Sequence, residues 1–132
     1  MARPLTCPCG RNAPYEACCQ PFHTGDALPD TAEQLMRSRY TAFVKSEIDY
    51  LKDTTWPKFQ KDFDVDGYRR RAQESLWLGL VIHETDAGGA DTTRGTVAFT
   101  AHSMVNGAKN AQQEVSLFRK KAGRWYYWGP KP

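Results

Sequence analysis

The stretch that most constrains the fold is residues 31–46, which predicts an amphipathic helix with a charged residue on its apolar side. Thr31 and Gln34 have the spacing of a capping box, which supplies hydrogen-bond partners to the first free amides of a helix. At the helical period, one stripe of the surface is apolar. It contains Ala32, Leu35, Met36 and Phe43. Arg39 falls inside this stripe and Tyr40 at its edge, so the helix directs a guanidinium toward the core.

Arg39 must find hydrogen-bond acceptors wherever it lies, because burying an unpaired guanidinium costs several kcal/mol. The pattern leaves two outcomes open. The side chain could extend to solvent at an edge of the helix, or it could enter a polar cavity lined by the rest of the fold. We predict the cavity.

All four cysteines of the 132-residue chain lie in its first 24 residues, as Cys7-Pro8-Cys9-Gly10 followed by Cys18-Cys19. In a reducing compartment, clustered cysteines favour a metal over disulfides. Zinc prefers four tetrahedral thiolate or imidazole ligands, and adjacent cysteines are poorly placed to bridge each other. We therefore predict a closed, structural Zn²⁺ site on these four cysteines, with His23 as a substitute ligand and inert reduced thiols as the alternative.

Composition and length bound the remaining possibilities. The chain is long enough for one domain with a small appendage, which we place at residues 25–132 and 1–24. Its net charge of +3 is too mild to demand a nucleic-acid partner, so we consider one unlikely. No apolar run approaches the roughly 18 residues that cross a bilayer, which excludes a membrane role. The start, Met-Ala-Arg-Pro-Leu-Thr, is unlike a secretory signal, and a cytoplasmic location is predicted.

Two further helices and four strands follow the first helix. We predict a short second helix that begins near Ile48 and ends near Thr54, and a third helix over residues 64–74. Apolar, β-prone segments predict strands at residues 76–84, 95–104, 112–121 and 124–128. Asn106-Gly107 is a hairpin signal that we place inside a longer loop. Helices followed by antiparallel strands indicate an α+β fold, with three helices packed on one face of a four-stranded sheet.

The cysteine segment resembles the SEC-C motif, the small zinc knuckle at the tail of the preprotein translocase motor ATPase. Cys-Pro-Cys-Gly, eight residues and Cys-Cys match its spacing, and Gly10 matches the residue after the second cysteine. In the translocase this motif contacts a chaperone and the ribosome. The resemblance therefore implies a protein partner bound through the knuckle, although Tyr15-Glu16 stands where the family usually carries lysines.

The rest of the chain resembles the YchJ family. The matching segments are Leu-Met-Arg-Ser-Arg-Tyr-Thr-Ala-Phe at 35–43, Tyr50-Leu51 with Thr54, Trp-Leu-Gly-Leu at 77–80, and Gly-Arg-Trp-Tyr-Tyr at 123–127. That family joins a SEC-C knuckle to a domain similar to nuclear transport factor 2, in which a curved sheet and helices form a cone. Because the family is essentially uncharacterised, the resemblance implies a fold and leaves the activity open.

Cones of this kind have a cavity between helix and sheet, and the third strand offers two candidate faces for it. Glu114, Ser116 and Phe118 form one face, and Val115 and Leu117 form the other. The resemblance and the need to neutralise Arg39 both favour the first. We predict an Arg39–Glu114 ion pair in a polar and aromatic cavity. The predicted cavity residues are Arg39, Tyr40, Trp77, His102, Glu114, Ser116 and Trp125.

Three functions follow from this picture. The leading one is a cytosolic zinc-binding protein whose cone binds a small molecule or a protein partner. The second is a small isomerase or hydratase that uses His102 or Glu114 as its base. The third is an adaptor to translation or protein-export machinery through residues 1–24. A homodimer is consistent with all three. The run Arg69-Arg70-Arg71 is interpreted as a solvated helix face.

Overall fold

The computed structural model describes residues 6–131. The predicted start of the first domain at residue 1 and the predicted end of the second at residue 132 lie outside this range. Four α-helices are present among the described residues. They are α1 (Gln20–His23), α2 (Ala32–Lys45), α3 (Ile48–Asp53) and α4 (Val65–Glu74). Single 3-10 segments occur at Tyr15–Ala17 and Pro57–Asp62. Both helices predicted after α2 are therefore present, within a few residues of their predicted bounds.

Within the described residues, one four-stranded sheet follows the helices. Its strands are β1 (Ser75–Ala87), β2 (Arg94–Val105), β3 (Ala108–Lys121) and β4 (Arg124–Pro130). All neighbours pair antiparallel in the order β1-β2-β3-β4. Helices α2, α3 and α4 contact one another and pack on this sheet, with α2 touching β1, β2 and β4. The predicted α+β fold is confirmed.

Local side-chain chemistry sets the ends of α2 and α4. Thr31 Oγ1 accepts a hydrogen bond from the Gln34 amide at 3.1 Å. Gln34 Oε1 in turn accepts a hydrogen bond from the Asp30 amide at 2.8 Å, one residue further back than in a standard capping box. Ser46 ends α2 with a left-handed φ of 57°. Asp64 caps α4 through the Gly67 amide. These caps fix where each helix begins relative to the sheet.

The β2–β3 connection is shorter than predicted. Val105 pairs directly with Ala108, so Asn106-Gly107 is a two-residue turn rather than part of a longer loop. Both turn residues have positive φ, 52° and 79°, as a type I′ turn requires. Because this turn matches the twist of a hairpin, backbone pairing extends through residues 108–111, whose side chains alone did not indicate a strand.

The main core lies between α2, α3 and the inner face of the sheet. Its fully buried members include Leu35, Leu51, Val97, Phe118 and Trp125. The cysteines form a separate small buried cluster. None of the helices within residues 6–131 is both long and apolar enough to span a bilayer.

Candidate functional site

The four cysteine thiols converge on one point. The Sγ atoms of Cys7, Cys9, Cys18 and Cys19 all lie within 4.8 Å of one another, and all four residues are buried. Cys9 Sγ is 3.6 Å from Cys18 Sγ, which is 3.9 Å from Cys19 Sγ. A tetrahedral Zn²⁺ with Zn–S distances of about 2.3 Å separates its sulfurs by about 3.8 Å. The donor set therefore fits zinc in both chemistry and spacing.

The pKa shifts of the cysteines indicate that only one thiol of the cluster ionises readily without a cation. A hydrogen bond from the Cys19 thiol lowers the pKa of Cys9 to about 5, whereas burial raises the pKa of Cys18 to about 12. The hydrogen bond with Cys9, followed by burial, also raises the pKa of Cys19. The protein groups alone thus favour one thiolate held by protonated neighbours. Four thiolates in one buried space would require a compensating positive charge.

The knuckle, defined as the described residues up to Thr24, docks on one face of α2. Arg37 Nη1 donates to the Cys9 carbonyl at 2.6 Å, and Arg37 Nε bonds Glu33 at 3.0 Å. His23 Nε2 donates to the Ser38 carbonyl at 2.8 Å, and Nδ1 accepts from the Tyr15 hydroxyl at 2.7 Å. Both ring nitrogens are thereby occupied, so His23 joins the knuckle to α2 and does not face the cysteines. Burial lowers the pKa of His23, which keeps the ring neutral in this arrangement.

Arg39 lies on the opposite side of α2 and is only 5% exposed, which excludes the solvent-edge alternative. Its Nη1 donates to the Leu51 carbonyl at 2.8 Å and to Thr54 Oγ1 at 2.7 Å. Its guanidinium carbon lies 4.5 Å from the centroid of the Tyr127 ring. Burial lowers the pKa of Arg39, since desolvation disfavours the charged form. The acceptors at the C-terminal end of α3 therefore hold this guanidinium.

The predicted Arg39–Glu114 ion pair is absent from the ion pairs formed among residues 6–131. Glu114 accepts hydrogen bonds from Ser116 Oγ, from the Tyr127 hydroxyl at 3.2 Å and from Gln112 Nε2 at 3.3 Å. The carboxylate thus lies along the sheet, while the guanidinium is held by α3. Tyr127 contacts both, with its ring face toward Arg39 and its hydroxyl on Glu114.

Between these two charges lies a cavity of about 80 Å³. One water occupies on the order of 10–15 Å³ by this measure, so the space suits several waters or a ligand of a few heavy atoms. Ala101 lies on the sheet side of the cavity, where its small side chain leaves room. The lining comprises Met36, Arg39, Tyr40, Phe43, Tyr68, Arg71, Trp77, Phe99, Ala101, Gln112, Glu114, Ser116 and Tyr127.

Five of the seven predicted cavity residues line this space: Arg39, Tyr40, Trp77, Glu114 and Ser116. Tyr40 and Trp77 meet edge to face, with ring centroids 5.7 Å apart. Glu114 and Ser116 face the helices, whereas Val115 is 38% exposed on the other face of β3. The choice between the two faces of β3 therefore went the predicted way.

The placement of His102 and Trp125 in the cavity was wrong. His102 is exposed on the outer face of β2, because its neighbours Ala101 and Ser103 take the inner positions. Trp125 is 1% exposed and belongs to the core, where its Nε1 donates to the Asp30 carbonyl at 3.1 Å. Tyr127, the next inward position of β4, lines the cavity in its place.

Arg71 and Tyr127 are the main cavity residues that the sequence analysis missed. Arg71 bonds Gln112 Oε1 across the cavity opening and lies 5.1 Å from the ring centroid of Phe43. The interpretation of the arginine run as a solvated face is therefore incomplete, although Arg69 does pair with an exposed aspartate. Strand alternation from Trp125 could have found Tyr127, but no local signal separates Arg71 from its two neighbours.

Fold and site together define a class of protein: an α+β cone of the nuclear transport factor 2 type preceded by a cysteine knuckle. Two solved structures of SEC-C motif containing proteins share it. The solution structure from Rhodopseudomonas palustris matches with a TM-score of 0.88 and 35% identity, covering 96% of this chain and 98% of that one. The crystal structure from Psychrobacter arcticus matches with a TM-score of 0.82 and 33% identity, covering 96% and 81%.

Sequence comparison identifies the family. The profile of the YchJ middle NTF2-like domain matches residues 31–130. A UPF0225 protein of Geobacter sulfurreducens is 43% identical over 129 residues, covering 96% of this chain and 80% of the relative. A UPF0225 protein of Actinobacillus succinogenes is 41% identical over 121 residues, covering 92% and 78%. The chain belongs to the YchJ (UPF0225) family.

Proposed function

We propose that this protein binds a small polar molecule in the cavity of its cone and carries a structural zinc ion in its knuckle. The observation behind the first part is that Arg39 and Glu114 both line an open space without pairing across it. A buried guanidinium that bonds the described residues through only one of its nitrogens leaves part of its desolvation cost for a ligand to recover. A ligand that contacts the guanidinium recovers that cost.

Zinc is the metal that the four thiolates favour, because soft sulfur donors at tetrahedral spacing select it over hard cations. Zinc, when bound, supplies the cross-link between the Cys7–Cys9 and Cys18–Cys19 halves of the knuckle. Thiolates stay available for metal only where cysteines remain reduced, which agrees with a cytoplasmic location. The test is metal analysis of the purified protein together with thiol titration. Near-zero zinc with freely titratable thiols would overturn this part.

The binding function is favoured over the two alternatives. An enzyme would have to use Glu114 as its base, because His102 lies on the opposite face of the sheet. Three donors already occupy lone pairs of the Glu114 carboxylate that a base would have to present to a substrate. An adaptor would have to use the outer surface of the knuckle, where Arg11 and Glu16 carry opposite charges and define no partner.

The test of the binding function is a fragment screen by NMR on the zinc-loaded chain. We expect hits whose chemical-shift changes concentrate at the cavity residues, and these changes should disappear in Ala101→Leu, which fills the cavity. The matched control is Ala111→Leu, the same substitution at an exposed position of β3. The proposal fails if no fragment shifts the cavity residues, or if Ala101→Leu leaves every hit unaffected.

A further inference from the structure

The Nε and Nη2 groups of Arg39, which form one edge of its guanidinium, indicate which ligand the cavity can bind. Nη1 makes both of the hydrogen bonds that hold the side chain, so Nε and Nη2 make none with residues 6–131. Within residues 6–131, every side-chain nitrogen or oxygen that is sealed from solvent has a hydrogen-bond partner. Nε and Nη2 are therefore not fully sealed from solvent, and Arg39 is one of the residues that line the cavity.

The geometry of that edge selects a class of acceptor. Nε–H and one Nη2–H of a guanidinium point in the same direction, as a parallel pair of donors. A carboxylate accepts both at once, and such bidentate pairs are about twice as strong as neutral hydrogen bonds. Arg39 cannot turn away from this direction, since Nη1 is fixed by α3 and its guanidinium lies against the Tyr127 ring.

The charges around the cavity favour an anion despite the presence of Glu114. Arg39 and Arg71 supply two positive charges, and Glu114 supplies one negative charge. Three neutral donors are bonded to Glu114 and partly screen its charge from a ligand. A group next to it must nevertheless donate a hydrogen bond rather than accept one.

We propose that the cavity ligand is a small organic carboxylate with a hydroxyl group on the adjacent carbon. Its carboxylate binds side-on to Nε and Nη2 of Arg39, with Arg71 as the second cation at the opening. Its hydroxyl donates to Glu114, and its carbon atoms contact Tyr40 and Trp77. This inference rests on the proposed binding function and names the ligand class for the same cavity.

The size of the cavity agrees with a ligand of this class. A volume of about 80 Å³ accommodates a few heavy atoms, which limits the ligand to the smallest hydroxy acids. Because the affinity of a ligand is limited by its number of heavy atoms, a ligand of this size is expected to bind with millimolar to micromolar affinity. Such affinities are measurable by titration.

The experiment uses four probes on the ¹⁵N-labelled, zinc-loaded chain: glycolate, acetate, glycolamide and acetamide. The amides preserve shape and remove the charge. We expect glycolate to bind most tightly, and each acid to bind at least about tenfold more tightly than its amide, the equivalent of ~1.4 kcal/mol. The Arg39 Nε–H resonance should shift on titration with either acid. This resonance reports directly on the proposed contact.

Two test variants and one control variant locate the binding site. Arg71→Gln should weaken glycolate binding about threefold, as expected for loss of an exposed charge at the opening. Arg69→Gln is the matched control, because it removes the same charge two residues earlier on α4 and should leave binding unchanged. Arg39→Lys should weaken binding about tenfold or more, since it keeps the charge and removes the paired donors. The Arg71 and Arg69 variants retain the test if Arg39→Lys fails to fold.

The outcomes separate the two proposals. Equal binding of acids and amides would overturn the carboxylate inference and leave the cavity as a binding site. Acid binding that leaves the Arg39 Nε–H resonance unmoved, or that is equal in Arg71→Gln and Arg69→Gln, would place the acid elsewhere and overturn the inference. Glycolate binding no tighter than acetate would overturn the contact with Glu114. If the fragment screen yields nothing in the cavity, the proposed function itself is overturned.

Discussion

The knuckle and the cavity lie on opposite faces of α2 and handle charge in opposite ways. In the knuckle, four sulfurs converge to the spacing of a tetrahedron, and almost no apolar core surrounds them. In the cavity, a guanidinium and a carboxylate face a shared space without bonding each other: the end of α3 holds the guanidinium, and side chains of β3 and β4 hold the carboxylate.

This difference decides what can be inferred about each occupant. Converging donors with a fixed number and spacing specify an ion almost completely, because a metal imposes its own geometry. Separated donors on a rigid wall specify only which groups a ligand must present and where. The knuckle should therefore depend on its occupant for folding, whereas the cavity should be formed before its ligand arrives.

Removal of zinc should give the largest effect. Metal binding supplies on the order of 10 kcal/mol to small thiolate sites, and the knuckle has little else to hold it. Chelation, or the Cys9→Ser variant, should unfold the knuckle and leave the cone domain folded. Amide signals before residue 25 should collapse while those of β1–β4 persist. Retention of the knuckle signals without metal would show that the two regions do not differ in this way.

Truncation of Arg39 should give the next largest effect. Arg39→Ala leaves an enlarged cavity and is expected to cost about 2–5 kcal/mol. Arg39→Met fills the space and should cost only about 1–2 kcal/mol, because Leu51 keeps a donor in the Thr55 hydroxyl at 2.8 Å. Urea unfolding measures both. Equal losses in the two variants would mean that the charge, rather than the packing, stabilises this region.

Loss of the bond that docks the knuckle should be smaller. Arg37→Met removes the hydrogen bond to the Cys9 carbonyl from a side chain that is 19% exposed, and should cost about 1 kcal/mol. Hydrogen exchange should speed up in the knuckle and not in β2 or β3. Arg69→Met is the control, since it removes an exposed ion pair and should change almost nothing. Faster exchange throughout the cone would contradict a local docking role.

Replacement of Glu114 should leave the fold intact. Because Glu114 forms no ion pair with Arg39, Glu114→Gln should cost about 1 kcal/mol or less, as weaker hydrogen bonds replace charge-assisted ones. Breaking a direct buried pair would instead cost about 3–5 kcal/mol. Thermal unfolding distinguishes the two. Ser116→Ala removes one donor to the same carboxylate and serves as the comparison.

Mild acid should give the smallest effect, and it should act on the knuckle contact. The pKa of His23 is lowered in the folded protein from its ordinary 6.5, so the unfolded chain binds the proton first. The contribution of neutral His23 to the free energy of unfolding is therefore fully present above pH 6.5. It decreases as the pH falls from 6.5 toward the pKa of His23 in the folded protein. His23→Gln should flatten this part of the profile, measured by thermal unfolding with zinc in excess. Parallel profiles for the two proteins would refute the contribution of His23.

The parts of the fold that depend on local signals could be predicted from the sequence. The stripe and cap of α2 placed Arg39 on the buried side, and cysteine spacing gave the knuckle. Which face of β3 points inward could not be read from the strand alone. It was predicted from the need of a buried Arg39 for polar neighbours. Glu114 does lie on the inward face of β3, although it forms no direct contact with Arg39.

The errors arise where one element meets another. A β-bulge between Trp77 and Gly79 reverses the alternation of β1, so that Leu80 is 8% exposed while Val81 is 45% exposed. Gly79 inside the strand is a weak local signal for such a shift, but no local pattern told His102 from Ala101 on the paired strand. Arg71 likewise bonds a residue 41 positions away, a contact that depends on how α4 crosses the sheet.

The placement of two sites on one helix constrains how this family can change. Arg37 and Ser38 contact the knuckle, and Arg39 and Tyr40 line the cavity, within four consecutive residues. Each residue of an α-helix advances about 100° around its axis. A single insertion or deletion within this segment would rotate one contact surface away from its partner while the other stayed in place. Length variation in α2 should therefore be excluded between Arg37 and Tyr40, while the surface loops remain free to vary in length.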